Sequence, residues 1–314
     1  MYDIIVMGSI NLDVIVNCHH FPASGDNTFC ESIRLAAGGK GNNQAVSAAR
    51  YGKKVCFLGC IGDDSSGRQL RQNLRERNID DGWLMVKEGV GTGSCVGIVE
   101  PDGENTLLVN LGANFAFGAA EISQRLNSVE GKILLIQMET SKESVLAAMQ
   151  TAREKGMLII LDPAPVQGIN PECFPYADII VPNSHETERI TGISVNDETS
   201  ALAAAKIIHG MGVNNVIIKM GGSGCLLYRD ARSVFFPALR VDAVDTVGAG
   251  DCFAGALANY LIDYPENLEE AIRFAQVVAG IKVSRHGGHD AIPSLHEVNA
   301  ELRKGRCTYQ RAER

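Results

Sequence analysis

The chain has 314 residues, 45% of them hydrophobic, and 37 acidic against 29 basic side chains give a formal net charge of −8. That length and apolar content describe a globular, enzyme-sized protein with a large core. The negative balance, with no basic cluster longer than Lys53-Lys54, argues against nucleic acid or an anionic membrane as a partner, so any phosphate must be bound locally.

The N-terminus lacks a basic region followed by a long apolar run, and no apolar stretch approaches the length of a membrane span. The expectation is a cytoplasmic protein. Residues 3–7 read as a buried first strand, ended by Gly8-Ser9. From Ser9 to Asn17 polar and apolar residues alternate, which puts Asn11 and Asp13 on one strand face and Ile10, Leu12 and Val14 on the other. An amide and a carboxylate two apart can grip adjacent hydroxyls of a polyol; a solvated strand face is the other reading.

A further strand over about 28–36 leads into Gly38-Gly39-Lys40-Gly41-Asn42-Asn43-Gln44-Ala45, a Gly-rich turn feeding a helix. Its glycines permit close backbone approach to a ligand, Lys40 and Asn43 offer donors, and Ala45, Ala48 and Ala49 suit tight helix packing. Lys40 can equally be a solvated charge. Residues 54–60 read as a strand and 66–77 as an amphipathic helix. The nine cysteines, an odd number scattered singly as at Cys56, Cys60 and Cys225, read as reduced thiols and not a disulfide framework. Strands over 94–100 and 105–110 flank a turn at Pro101-Asp102-Gly103-Glu104. Together with 10–17 and 28–36 they form a small separate sheet, a lid.

Strands at 132–137, 157–161, 178–181 and 215–219, with a helix over 142–155, then imply a parallel sheet covered on both faces. Ligands collect at the strand C-terminal ends of such sheets, which singles out Glu139, Asp162, Asn183, Glu186 and Gly221-Gly222-Ser223-Gly224. Asn183 with Glu186 also has the spacing of a helix capping box. The histidines, His286 and His289 among them, show no metal-ligand spacing.

The organising stretch is Asp245-Thr246-Val247-Gly248-Ala249-Gly250-Asp251, followed by a helix whose apolar face is Phe253, Ala256, Leu257, Tyr260 and Leu261. Gly248, Ala249 and Gly250 at a helix N-terminus make an anion hole. A carboxylate beside it makes sense if an acceptor hydroxyl lies between Asp251 and a terminal phosphate and gives its proton to Asp251. The helix dipole is expected to lower the pKa of Asp251. An ordinary acidic residue in a first helical turn is the alternative.

With both Gly-rich segments and Gly8-Ser9-Ile10-Asn11-Leu12-Asp13, the chain resembles the ribokinase, or phosphofructokinase-B, sugar kinase family from Ile5 to about Pro293. The resemblance implies a three-layer α/β sandwich with a mainly parallel sheet, built as a single domain over 1–314 with the lid strands inserted, and a homodimer through the lid. It implies ATP-dependent phosphorylation of D-ribose at O5 with Asp251 as base, and Asn11, Asp13, Gly39, Lys40, Asn43 and Glu139 on the sugar. Asn183 and Glu186 would handle phosphate and hydrated Mg²⁺, while Lys219, Met220, Gly221, Gly222, Ser223, Gly224 and Gly250 line the ATP site and Gln276 lies near the adenine. K⁺ would be held by Asp245 and by carbonyls around Val247, Lys282, Arg285, Gly287 and Ala291, the last standing where the family often has Ser. Cys252 and Asn42 replace commoner small residues.

Rival readings are a kinase of the same fold acting on deoxyribose, fructose or a nucleoside, and a non-catalytic sugar or nucleotide sensor. A nicotinamide oxidoreductase fits poorly, because Gly-x-Gly-x-x-Gly does not follow the first strand.

Overall fold

A ten-stranded sheet forms the centre of the computed structural model, which describes residues 1–314 apart from 19, 23, 26, 100–104, 306–309 and 312–314. Ile79–Asp80, Val55–Leu58, Tyr2–Met7, Gly131–Gln137, Leu158–Asp162, Ile179–Ile180 and Asn215–Lys219 lie side by side and parallel. Gly224–Arg229, Arg232–Pro237 and Gln310–Arg311 continue the sheet antiparallel. Parallel strands must be buried on both faces, and the first strand is: Ile4 and Val6 pack into one apolar cluster, Ile5 and Met7 into the other. The first cluster is completed by helices Lys40–Ala49, Ala249–Asp263 and Leu268–Val283. The second is completed by Ala119–Ser128, Lys142–Glu154 and Glu198–Gly210. The three layers expected from the sequence are present.

The antiparallel end of the sheet is absent from the sequence reading. Its hairpin turns on Asp230 and Ala231, both at positive φ (49° and 58°), a turn geometry whose usual Asn-Gly signal is missing here. The single strand expected over 54–60 is two. Gly59 interrupts it, since a Cβ there would lie 2.8 Å from Gly8 O, and Cys60–Gly62 pairs instead with Met85–Lys87.

A second sheet has the order Cys30–Gly38, Asn11–Cys18, Gly93–Val99, Asn105–Asn110. Asn11–Cys18 runs antiparallel to Cys30–Gly38 and parallel to Gly93–Val99. The turn read at Pro101-Asp102-Gly103-Glu104 lies outside the described residues. Both Gly-rich segments feed helices that pack face to face. Gly255 permits the approach, because a Cβ there would meet Ser47 Cβ at 2.5 Å. Ser47 Oγ donates to Cys252 O (2.8 Å) and Asn259 Nδ2 to Ala48 O (2.6 Å). Asn43 and Asp251, each near the start of its helix, are brought together by this packing.

Candidate active site

Gly248 is the N-cap of Ala249–Asp263 at φ 73°, and no side chain caps the helix. The left-handed turn suits glycine, and the uncapped start keeps N–H groups for a ligand. Ala249 contributes less than expected, because its N–H goes to Thr246 O at 3.2 Å. A cation supplements the backbone: Lys219 Nζ lies 3.2 Å from where a Cβ on Gly250 would stand. The same ammonium pairs with Asp162 Oδ1 at 3.2 Å.

Asp251 is buried, with Oδ2 accepting from Asn43 Nδ2 (2.9 Å) and Oδ1 from Gln44 Nε2 (3.1 Å). Gln44 Nε2 also donates to Asp162 Oδ2 (2.9 Å), while Gln137 Nε2 donates to Gln44 Oε1 (2.6 Å). Burial raises the Asp251 pKa, against the attraction of Lys40 and the two amides. The lowering expected from the helix dipole is reversed, since desolvation of a buried carboxylate outweighs a dipole end. A raised pKa makes Asp251 a better proton acceptor. Burial alone would lower the Lys40 pKa, but Asp251, Asp162, Glu139 and Glu186 around it outweigh that and raise it. Lys40 is therefore a fixed cation among four carboxylates.

Toward the second sheet, Glu139 Oε2 accepts from Ser9 Oγ (2.5 Å) and from the N–H of Lys40 (3.2 Å). Gly39 sits at φ 88°, and a Cβ there would strike the Ile10 backbone at 2.8 Å. Asp13 Oδ1 is buried without a hydrogen-bond partner. Its carboxyl pKa is pushed up to about 7, by burial first and then by Glu139. Such an orphaned acceptor is what a polyol hydroxyl would satisfy. Asn11 Oδ1 takes a hydrogen bond from Asn114 Nδ2 at 2.7 Å, which turns the Asn11 NH₂ group toward the donor role. Asn114 is fully buried and also accepts from Ile10 N at 2.9 Å. It was missed in the sequence because it lies in a short turn with no motif. His289 was missed as well; its Nε2 lies 2.7 Å from Asn43 Oδ1.

On the other side of Asp251, Asn183 and Glu186 form a complete capping box. Glu186 is nonetheless buried beside Asp162, and its pKa is raised by burial first and by that neighbour second. Gly221 and Gly222 face open space, whereas a Cβ on Gly224 would strike Phe236 O at 2.0 Å. Gln276 is buried, and its Nε2 is spent on Phe236 O (3.1 Å) and Cys225 Sγ (3.4 Å), so it faces the protein more than a ligand.

The K⁺ ligand set does not fit. Lys282 Nζ donates to Asp245 O (3.0 Å) and to Val247 O, and pairs with Asp245 Oδ2 at 3.4 Å. Lys282 O accepts from Arg285 N (3.1 Å) and Gly287 O from Asp290 N (3.0 Å). The Arg285 side chain pairs with Glu297 at 2.6 Å, and Ala291 supplies no side-chain oxygen. A cation of the chain itself stands among the first three oxygens.

Residues 1–295 match the pfkB family of carbohydrate kinases. The chain belongs to that family. It is 35% identical over 294 residues to a ribokinase of Haemophilus influenzae, covering 93% of this chain and 96% of that one. A deoxyribokinase of Salmonella typhimurium is 31% identical over 302 residues, covering 96% and 98%. The structure of Arabidopsis thaliana ribokinase complexed with ribose and ATP superposes with a TM-score of 0.88 at 26% identity, over 96% of this chain and 98% of that one. The fold is that of the ribokinases, and the chain is a carbohydrate kinase.

Proposed function

We propose that this enzyme transfers the γ-phosphoryl group of ATP to O5 of D-ribose, giving ribose 5-phosphate and ADP. The observation that carries the reading is the orphaned buried oxygen of Asp13, on the same sheet face as Asn11 and in the field of Glu139. These three groups, with Lys40, hold the secondary hydroxyls and leave the primary hydroxyl for Asp251. Asp251 takes its proton as oxygen attacks phosphorus. The N–H groups of Gly248 and Gly250 and the Lys219 ammonium meet the charge that shifts onto the phosphate oxygens, while the Ala249 N–H holds the turn on Thr246 O. Met220 to Gly224 form the open wall for the nucleotide, with Gln276 behind it.

Mg²⁺ would reach this site on the ATP phosphates and neutralise their charge, since such an ion keeps several waters and uses one or two carboxylates. The paired acidic groups Glu186 and Asp162 fit it, with Asn183 beside them. Among the described residues no three His, Cys, Asp or Glu side chains gather as a protein cage, and an ion held this way needs none.

The second sheet is proposed to act as a lid on a single catalytic domain and as the dimer contact. Strand register places Val14, Val16, Ile33, Leu35, Val96, Ile98 and Leu108 on the face opposite Asp13. Ile33, Leu35 and Leu108 are 63%, 55% and 60% exposed. A continuous apolar face of that kind is covered in a working protein, and a second copy of the same sheet is its self-complementary partner. The eight described cysteines are all free thiols, which supports a reducing, cytoplasmic setting. No described helix is long and apolar enough to cross a membrane.

Deoxyribose is the second reading, favoured by the identity to a deoxyribokinase. Coupled ADP release across ribose, deoxyribose, fructose and adenosine decides. The highest kcat/KM is expected for ribose, with the product a 5-phosphate; a higher value for any other sugar or for adenosine reassigns the substrate.

A further inference from the structure

Lys282 lies in the last turn of Leu268–Val283 and is 1% exposed. An ammonium carries three N–H donors, and three acceptors surround this one: Asp245 O, Val247 O and Asp245 Oδ2. The site is saturated. A buried ammonium is tolerated only when paired and fully hydrogen-bonded, and both conditions are met here by one turn of chain. A monovalent metal ion on the same oxygens would stand where the ammonium nitrogen now lies, a like charge in direct contact with it.

We infer that Lys282 is a tethered replacement for the monovalent cation, and that this kinase is built to run without K⁺. What an ion would do from solution, the lysine does from within. It draws the carbonyls of Asp245 and Val247 to one point, while Val244 N and Asp245 N both donate to Val283 O at 2.7 and 3.0 Å. Asp245 Oδ1 accepts from Val247 N at 3.0 Å. The turn is thereby pinned at both ends immediately before Gly248, and the direction of the N–H groups at the start of Ala249–Asp263 is set before ATP arrives. Because the charge is covalently held, its occupancy does not depend on salt composition.

This inference rests on the reading of 248–251 as the phosphoryl site, and the test separates the two. Initial rates of the parent enzyme with saturating ATP, Mg²⁺ and ribose are measured in chlorides of K⁺, Na⁺, Cs⁺ and tetramethylammonium at fixed ionic strength, with melting temperatures in the same salts. Rates within roughly twofold and melting temperatures indifferent to K⁺ are expected, as preorganisation is already in place. A K⁺-specific rise of about tenfold or more in rate, or a K⁺-specific rise in melting temperature, overturns the assignment. Lys282→Ala opens the oxygens to solvent. In tetramethylammonium its rate is expected to fall by roughly tenfold or more, and K⁺ should restore part of the rate and raise its melting temperature. A variant that keeps the parent's rate, or one that is impaired and unmoved by K⁺ in both readouts, also overturns it. Absence of turnover by the parent in every salt would instead strike the ribose reading, while the melting series still reports on the cation site.

Discussion

Asn43 Nδ2 donates to Asp251 Oδ2 at 2.9 Å across 208 residues of sequence. A carboxylate only accepts, so this contact fixes which way the Asn43 amide points. With Gln44 Nε2 on Oδ1 at 3.1 Å, each Asp251 oxygen keeps one lone pair for an incoming hydroxyl. Replacing Asp251 by Asn keeps the shape and removes the proton acceptor. Asp251→Asn is expected to lower kcat by about two to four powers of ten, the usual scale for a positioned base, with nucleotide affinity little changed. Single-turnover rates alongside ADP binding by calorimetry check it. Near-parental turnover would mean that another group takes the proton.

Because Asn43 Oδ1 must then accept, His289 is the donor through its Nε2–H, at 2.7 Å. His289 thus orients Asn43 through this contact. Losing one such hydrogen bond is worth about 1 kcal/mol, roughly fivefold. His289→Ala is expected to raise KM for the sugar by about that factor, more than it lowers kcat, while KM for ATP holds. His289→Gln, which keeps an N–H donor, should recover part of the loss. Equal defects in the two variants would mean that the ring packs and does not position.

Much of this site was legible because its chemistry is local in sequence. The turn at 245–251 and the Gly-rich segment at 38–45 each carry their own glycines, donors and following helix, and the alternation from Asn11 to Asn17 put Asn11 and Asp13 on one face before any fold was known. Position 282 was legible through its carbonyl, but the role of the Lys282 side chain was not. A lysine in the last turn of a helix is the residue that complements the dipole at a surface, and only the tertiary path of 244–247 turns it inward. Gln44 sat inside a recognised motif, yet its bridge between Asp162 and Asp251 depends on two strands and two helices meeting. The antiparallel end of the sheet was hidden for the opposite reason, a turn whose residues give no signal of its geometry.

The apolar outer face of the second sheet makes oligomeric state testable apart from catalysis. Leu35 and Leu108 lie on that face and touch no proposed ligand group. Leu35→Lys with Leu108→Lys places charges where a partner sheet would bury them, which is strongly unfavourable. The parent is expected to sediment at twice the chain mass and the double variant at the chain mass, with its far-ultraviolet circular dichroism unchanged. A parent that is monomeric at micromolar concentration would remove the dimer.

Asp13 links pH to both stability and sugar binding. Its carboxyl titrates at about 7 in the folded protein, raised from an ordinary 3.8 by burial and by Glu139. Between those two values the folded state binds the proton more tightly than the unfolded chain, so raising pH through this window removes stability. Above about 7 the folded protein carries an ionised, half-buried carboxylate whose Oδ1 is buried without a partner. Asp13→Asn removes the titration, and its melting temperature is expected to exceed the parent's by on the order of several degrees at about pH 8, with the gap closing near pH 4. Sugar binding runs the other way. Hydroxyl groups donating to Asp13 favour the ionised form, so ribose should expel the proton and bind less tightly as pH falls below about 7. The parent's KM for ribose is expected to rise as pH drops from about 8 to 6, while Asp13→Asn shows a high KM with no such slope. Calorimetric titration in buffers of different ionisation enthalpy reads the released proton directly at pH 6.5. A parent whose ribose affinity and proton release are both flat across this range would show that Asp13 does not meet the sugar as a carboxylate.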